Sequence, residues 1–249
     1  MIIIKTDMEI EYMRRAGKVV GNTLLKIEEA IRPGITTKEL DIIAEEYILK
    51  HGAKPSFKGY HGFPASICAS VNKEVVHGIP SKQTVLQEGD IISIDCGAVL
   101  DGYQGDAART FTVGKVSEEA LKLIQVTKES FFKGVEKASV GNRLTDISAA
   151  IQNYVEGFGY SVVRDYVGHG IGKDMHEDPE VPNFGRPGRG PKLSKGIVLA
   201  IEPMVNIGDY QVRVEPNKWT VVTEDESLSA HYENTVAILD NGPEILTLV

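Results

Sequence analysis

At 249 residues the chain can bury one substantial core, or two halves fused into one domain. A net charge of −8 argues against a general nucleic-acid binder, and 42 % hydrophobic with 25 % charged residues is ordinary for a soluble globular protein. No segment is apolar for long enough to span a bilayer, the run Ile2-Ile3-Ile4 is too short for a signal peptide, and Cys68 and Cys96 cannot build a disulfide framework, so a reducing cytoplasm is the expected compartment.

Thr6 and Glu9 have the spacing of a capping box, and Ile10, Met13, Ala16, Val20 and Leu24 follow at helical intervals. Arg32-Pro33-Gly34 breaks that helix before a second box, Thr36 and Glu39. The helix it opens carries Leu40, Ile43, Ala44, Tyr47 and Ile48 and stops near Gly52. Residues 54–80 mix glycine, proline and aromatics and read as loops with one short strand, Ser66 to Val71. Gly89 to Leu100 is the first clear strand, the pair Asp101-Gly102 is a hairpin turn signal, and Ala108 to Val113 returns beside it. Ser117 before Glu118 and Glu119 opens a third helix, and Leu144 to Val155 is a fourth. Strands are expected at Ile197–Val205, Lys218–Thr223 and Asn234–Leu239.

The two halves are faint copies of each other at one shift of 107 residues. Gly34 maps to Gly141, Tyr47 to Tyr154, Gly52 to Gly159, Gly89 to Gly196, Ile94 to Ile201 and Asp95 to Glu202. The order helix, helix, hairpin, then the same again, predicts an α+β fold. It would be a single domain over 1–249, with repeats of about 6–113 and 117–240. A curved antiparallel sheet would carry helices on its outer face, and acidic groups on the other.

If Asp101-Gly102 is the turn, Asp95 pairs with Ala108 and Gly97 with Asp106. Asp95 and Asp106 are then diagonal neighbours on one face, roughly 7–8 Å apart at the backbone. Two close carboxylates on a half-buried face need a cation, a shared proton or solvent. Glu202 and Glu233 also border apolar strands, and His169 sits in the glycine-rich Gly168-His169-Gly170-Ile171-Gly172, read as a turn whose glycines allow both a close approach of backbone and unusual dihedrals. One imidazole among four carboxylates suits two divalent first-row ions such as Mn, Fe, Co or Zn, and suits structural zinc poorly.

In the contexts IDCG, GDAART, GHGIG, IEP and HYENT, the series Asp95, Asp106, His169, Glu202 and Glu233 resembles the five metal ligands of the methionine aminopeptidases. VVHGIP around His77 and MHEDP around His176 resemble that family as well, and the likeness runs from about residue 4 to the end. Compactness points to the type 1, bacterial-style branch.

The resemblance implies a pita-bread fold whose pseudo-twofold halves agree with the internal repeat. It implies that Asp95 chelates one metal, that His169 and Glu202 hold the other, and that Asp106 and Glu233 bridge them. Two cations would lower the pKa of a shared water, with Glu202 as proton shuttle. His176 would donate to the substrate carbonyl oxygen and His77 would contact the second residue's backbone. Tyr60, Phe63, Cys68, Met175 and Trp219 match the pocket for the terminal methionine, with Met175 and Phe63 standing where many relatives carry Phe and Tyr. A monovalent cation is expected near Asn72 and Ser229.

The implied activity is removal of the initiator methionine from nascent chains, at the ribosome and by a monomer, when the second residue is small. The competing readings are an aminopeptidase for X-Pro substrates and an interaction module that has lost catalysis.

Overall fold

The computed structural model describes residues 1–249. Four helices form where the apolar spacing requires them: α1 Asp7–Ala30, α2 Thr37–Lys50, α3 Glu118–Val135 and α4 Leu144–Glu156. Both capping boxes close. The Glu9 amide donates to Thr6 Oγ1 at 3.3 Å and the Thr6 amide to Glu9 Oε2 at 2.9 Å. The Thr36–Glu39 pair repeats this at 3.2 and 2.8 Å. Such a cap typically stabilises a helix start by about 1 kcal/mol.

The expected hairpin spans Ile91–Leu100 and Tyr103–Thr112, with Asp95 opposite Ala108 and Gly97 opposite Asp106. Period-two alternation divides its faces. Ile92, Ile94, Cys96 and Ala98 join Val20, Leu24 and Ile27 of α1 and Leu40, Ala44 and Ile48 of α2 in one buried core. Asp95, between Ile94 and Cys96, is turned the other way.

The second half repeats this plan. Leu199 and Ile201 of strand Val198–Ile201 pack with Leu123 and Phe131 of α3 and Ile147 and Ile151 of α4. That sends Glu202 to the same side as Asp95. The shift of 107 holds in the backbone: α2 begins at Thr37 and α4 at Leu144, and the bridge Thr36–Val85 recurs as Arg143–Lys192. All six glycines of the three matched pairs have positive φ.

The sheet is less continuous than expected. Strand Ile67–Val71 and the two-residue Lys54–Pro55 both pair with Ile91–Leu100, along its edge away from Tyr103–Thr112, in a four-stranded sheet. Gly242–Ile245, Asn234–Leu239, Val198–Ile201, Gly168–Gly170 and Glu177–Val181 form a five-stranded one, in that order. Two three-stranded sheets with ladders of their own pack beside these, one joined to the hairpin where the Thr110 hydroxyl donates to the His231 carbonyl at 2.9 Å. The strand expected over Ile197–Val205 is two pieces, Val198–Ile201 and Met204–Asn206, because Pro203 has no amide to give a ladder. Lys218–Thr223 shrinks to Val221–Thr223.

The two principal sheets meet where Ala108 and Glu233 exchange backbone hydrogen bonds of 3.3 and 3.0 Å. The Thr235 hydroxyl fastens the same seam, accepting from the Asp106 amide at 3.0 Å and donating to the Asp106 carbonyl at 2.9 Å.

Candidate metal centre

Asp95, Asp106, His169, Glu202 and Glu233 converge across that seam. Together with Phe57, Tyr60, His61, Phe63, Cys68, His77, His176 and Trp219 they line one cavity of about 210 Å³. His169 Nε2 lies 3.8 Å from Asp106 Oδ2 and 3.6 Å from Glu202 Oε1. One donor atom from each of Asp106, His169 and Glu233 falls within 4.8 Å of the others.

His169 is a strand residue, which corrects its reading as part of a turn. Strand Gly168–Gly170 is clamped between its neighbours: a Cβ on Gly168 would lie 2.3 Å from the Ala200 carbonyl oxygen, and one on Gly170 would lie 2.1 Å from that of Asp178. Neither glycine has positive φ, so close approach, rather than unusual dihedrals, is what requires them. His169 Nδ1 contacts the Gly170 carbonyl at 2.8 Å. A carbonyl only accepts, so Nδ1 carries the proton and Nε2 presents its lone pair to the carboxylates.

Burial pushes the Asp95 carboxyl up to about 7. Burial, followed by the charges of Glu233 and Asp95, holds Asp106 well above its ordinary value. Burial again dominates for Glu202, with Asp95 and Asp106 adding to it, and for Glu233, with Glu202 and Asp95. Desolvation lowers His169 to about 4, so its ring is neutral at physiological pH. Asp95 Oδ1, Asp106 Oδ1 and Glu233 Oε1 are buried without a hydrogen-bond partner. Orphaned carboxylate oxygens beside a bare imidazole nitrogen are donors that hard or borderline divalent cations satisfy. The residues therefore fit a metal centre.

The cavity's other wall is aromatic. The Tyr60 hydroxyl lies 2.8 Å from His176 Nδ1, and the His176 ring is tilted against that of His169 at 4.2 Å. His77, held at φ 60, meets the Tyr166 ring edge-on at 5.6 Å, and desolvation lowers it to about 4. Phe63 and Trp219 meet edge to face at 5.2 Å beside Cys68, whose thiol burial keeps far from ionisation.

Met175 is not among the lining residues. Its methyl fills the space left by the missing side chain of Gly97, behind the wall and next to Phe57. Asn72 and Ser229 are adjacent, the Ser229 amide donating to the Asn72 carbonyl at 3.0 Å. Their side chains are committed elsewhere, Asn72 to Asp90 and the Ile91 amide, and Ser229 to the Val205 carbonyl.

His231 was missed by sequence reasoning, although its context was read. It is 1 % exposed, and its Nε2 lies 3.7 Å from Glu202 Oε2 and 3.9 Å from Glu233 Oε2. The signal was available: in extended chain, residues two apart share a face, so a histidine at 231 follows Glu233 inward.

Residues 11–240 match the profile of metallopeptidase family M24. The chain belongs to this family. A methionine aminopeptidase of Clostridium acetobutylicum is 75 % identical over the whole chain and 99 % of its own length. Methionine aminopeptidase 1 of Bacillus subtilis is 56 % identical over the full length of both. The crystal structure of the Thermotoga maritima methionine aminopeptidase superposes with a TM-score of 0.99 at 49 % identity, covering both chains completely. Pyrococcus furiosus prolidase shares the fold over 66 % of its own length, with a TM-score of 0.78 at 25 % identity. The chain thus has the pita-bread fold of M24, with helices outside and the carboxylate-lined cavity inside.

Proposed function

We propose that this chain is a dinuclear methionyl aminopeptidase that removes the initiator methionine from nascent proteins when the second residue is small. The observation that carries the reading is the meeting of four carboxylates and His169 at one end of a cavity whose other wall is aromatic and thiol-bearing. Asp95, Asp106, His169, Glu202 and Glu233 hold two divalent ions, drawn from Co, Mn, Fe or Zn. When bound, the ions supply Lewis acidity that lets water attack a peptide carbonyl near neutral pH.

The side chains do the rest. Glu202, largely buried but still lining the cavity, takes the proton of the attacking water and passes it to the leaving amine. With the Tyr60 hydroxyl donating to His176 Nδ1, the His176 proton sits on Nε2, where it donates to the carbonyl oxygen as negative charge builds there. His77 holds the backbone of the second residue. Tyr60, Phe63, Cys68 and Trp219 enclose the methionine thioether, a soft group that favours sulfur and aromatic edges, while Met175 supports the wall from behind. The whole chain acts as one catalytic domain, a cytoplasmic monomer meeting its substrates at the ribosome. A monovalent cation near Asn72 and Ser229 would take the lone pairs of the Ser229 hydroxyl, whose proton goes to the Val205 carbonyl, together with backbone oxygens.

Turnover of Met-Ala-Ser and of an Ala-Pro peptide after metal reconstitution tests the proposal. Release of methionine from the first alone is expected. Cleavage of Ala-Pro alone would make the chain a proline-directed peptidase, as the prolidase likeness allows, and release from neither would make it a binding module.

A further inference from the structure

His231 has no task in the chemistry above, yet it is 1 % exposed and neither of its ring nitrogens has a hydrogen-bond partner. A buried polar group left unsatisfied costs about 1–3 kcal/mol, so an imidazole with two such atoms calls for an occupant nearby. The position of Nε2 shows which kind. It stands 3.7 Å from Glu202 Oε2 and 3.9 Å from Glu233 Oε2, too far for hydrogen bonds. On the opposite side of Glu202, His169 Nε2 keeps 3.6 Å from Oε1 and 3.8 Å from Asp106 Oδ2.

These spacings match those between two ligands of one cation. With metal–ligand bonds of about 2.1 Å, donor atoms lie about 3.4 Å apart at a tetrahedral angle and about 4.2 Å apart when opposed. The donor atoms of Glu202, His231 and Glu233 fall within 4.8 Å of one another, as those of Asp106, His169 and Glu233 do. Glu202 is therefore flanked by two imidazoles, one for each of its oxygens.

We propose that His231 is a sixth ligand of the metal centre, gripping a divalent ion through Nε2 together with Glu202 and Glu233. The inference rests on the metallopeptidase reading of the site and adds a second imidazole to the four carboxylates and His169. Imidazole suits Fe, Co and Zn, whereas Mn prefers carboxylate oxygen, so His231 biases the centre away from Mn. Unlike His169, whose Nδ1 is anchored on the Gly170 carbonyl, His231 has no acceptor for Nδ1, which makes its grip the weaker of the two.

The test is to count imidazoles by X-ray absorption on wild-type protein loaded with Co(II). Wild type and His231→Gln are then titrated with Co(II) and with Mn(II) by calorimetry. Two imidazoles per pair of ions are expected in wild type and one in the variant. Co(II) affinity for one ion of the pair should fall about tenfold or more, and Mn(II) affinity should fall less. One imidazole in wild type, or an unchanged Co(II) titration in a folded variant, overturns the proposal. Should the variant fail to fold, the wild-type count decides alone. A wild type that cleaves Met-Ala-Ser with one imidazole per ion pair sinks the role of His231 and leaves the peptidase standing. A chain that holds no ions sinks both.

Discussion

His176 is held between the Tyr60 hydroxyl, 2.8 Å from Nδ1, and the His169 ring at 4.2 Å, and a hydroxyl that donates to Nδ1 leaves the ring proton on Nε2. His176→Ala should lower turnover of Met-Ala-Ser by about 10²–10³-fold, the usual cost of losing a donor to a developing oxyanion. Metal content should be retained, as elemental analysis of the purified variant would show; loss of both ions would mean that His176 holds metal instead. Tyr60→Phe removes only the tautomer control, so its turnover should fall less than that of His176→Ala. Glu202 should behave differently. Replacing it by Ala abolishes turnover but leaves the metal-free melting temperature at or above that of wild type, because a buried carboxyl repelled by Asp95 and Asp106 is removed. A drop of many degrees in the metal-free variant would contradict this.

Among the secondary-structure elements, the 91–112 hairpin was legible down to its register. An Asp-Gly turn signal and strict alternation leave one pairing that buries Ile92 and Ile94 on the helix side, and a slip by one residue would have buried Asp95 against α1 and α2. Strand Gly168–Gly170 was not legible, for an equally physical reason. Two of its three residues are glycines, which weaken a strand by themselves, and it exists because Ala200 on one side and residues 177–181 on the other hold it. The same long-range dependence hid the three-residue strand Ser229–His231, and with it the inward direction of His231. Gly168→Ala tests this account, since its Cβ would meet the Ala200 carbonyl oxygen at 2.3 Å and neither backbone can yield cheaply. Destabilisation of about 3 kcal/mol, read from the urea midpoint, is expected. Weaker Co(II) binding should accompany it, because His169 is displaced as well.

At the scale of the whole molecule, charge at the seam makes stability depend on pH in an unusual direction. Buried carboxyls with raised pKa values hold their protons in the folded chain after the unfolded chain has released them. Below about pH 4 both states are protonated and the groups contribute nothing. As pH climbs from about 4 through the Asp95 value of about 7, the folded state binds more protons than the unfolded one, so metal-free stability falls. The desolvated rings of His77 and His169, lowered to about 4, act in the opposite sense up to about pH 6.5, so the fall is read above that range. The chelated protein should melt several degrees lower at about pH 8 than at about pH 6.5, as calorimetry can show. Loading with Co(II) should abolish or reverse that trend, and a chelated protein whose melting temperature rises over this range would refute the assignment of these four groups as buried together.

The reciprocal bonds between Ala108 and Glu233 carry a further implication for assembly. Asp95 and Asp106 belong to one repeat, and His169, Glu202 and Glu233 to the other, with a natural cut point in the turn between Thr112 and α3. Severed there, the first fragment would own only Asp95 and Asp106 and the second the remaining donors, so neither could rebuild the two-ion centre alone. Recombining the two pieces should restore uptake of the full pair of ions only as the fragments re-pair, so the cobalt absorption band of the paired centre would clock their docking.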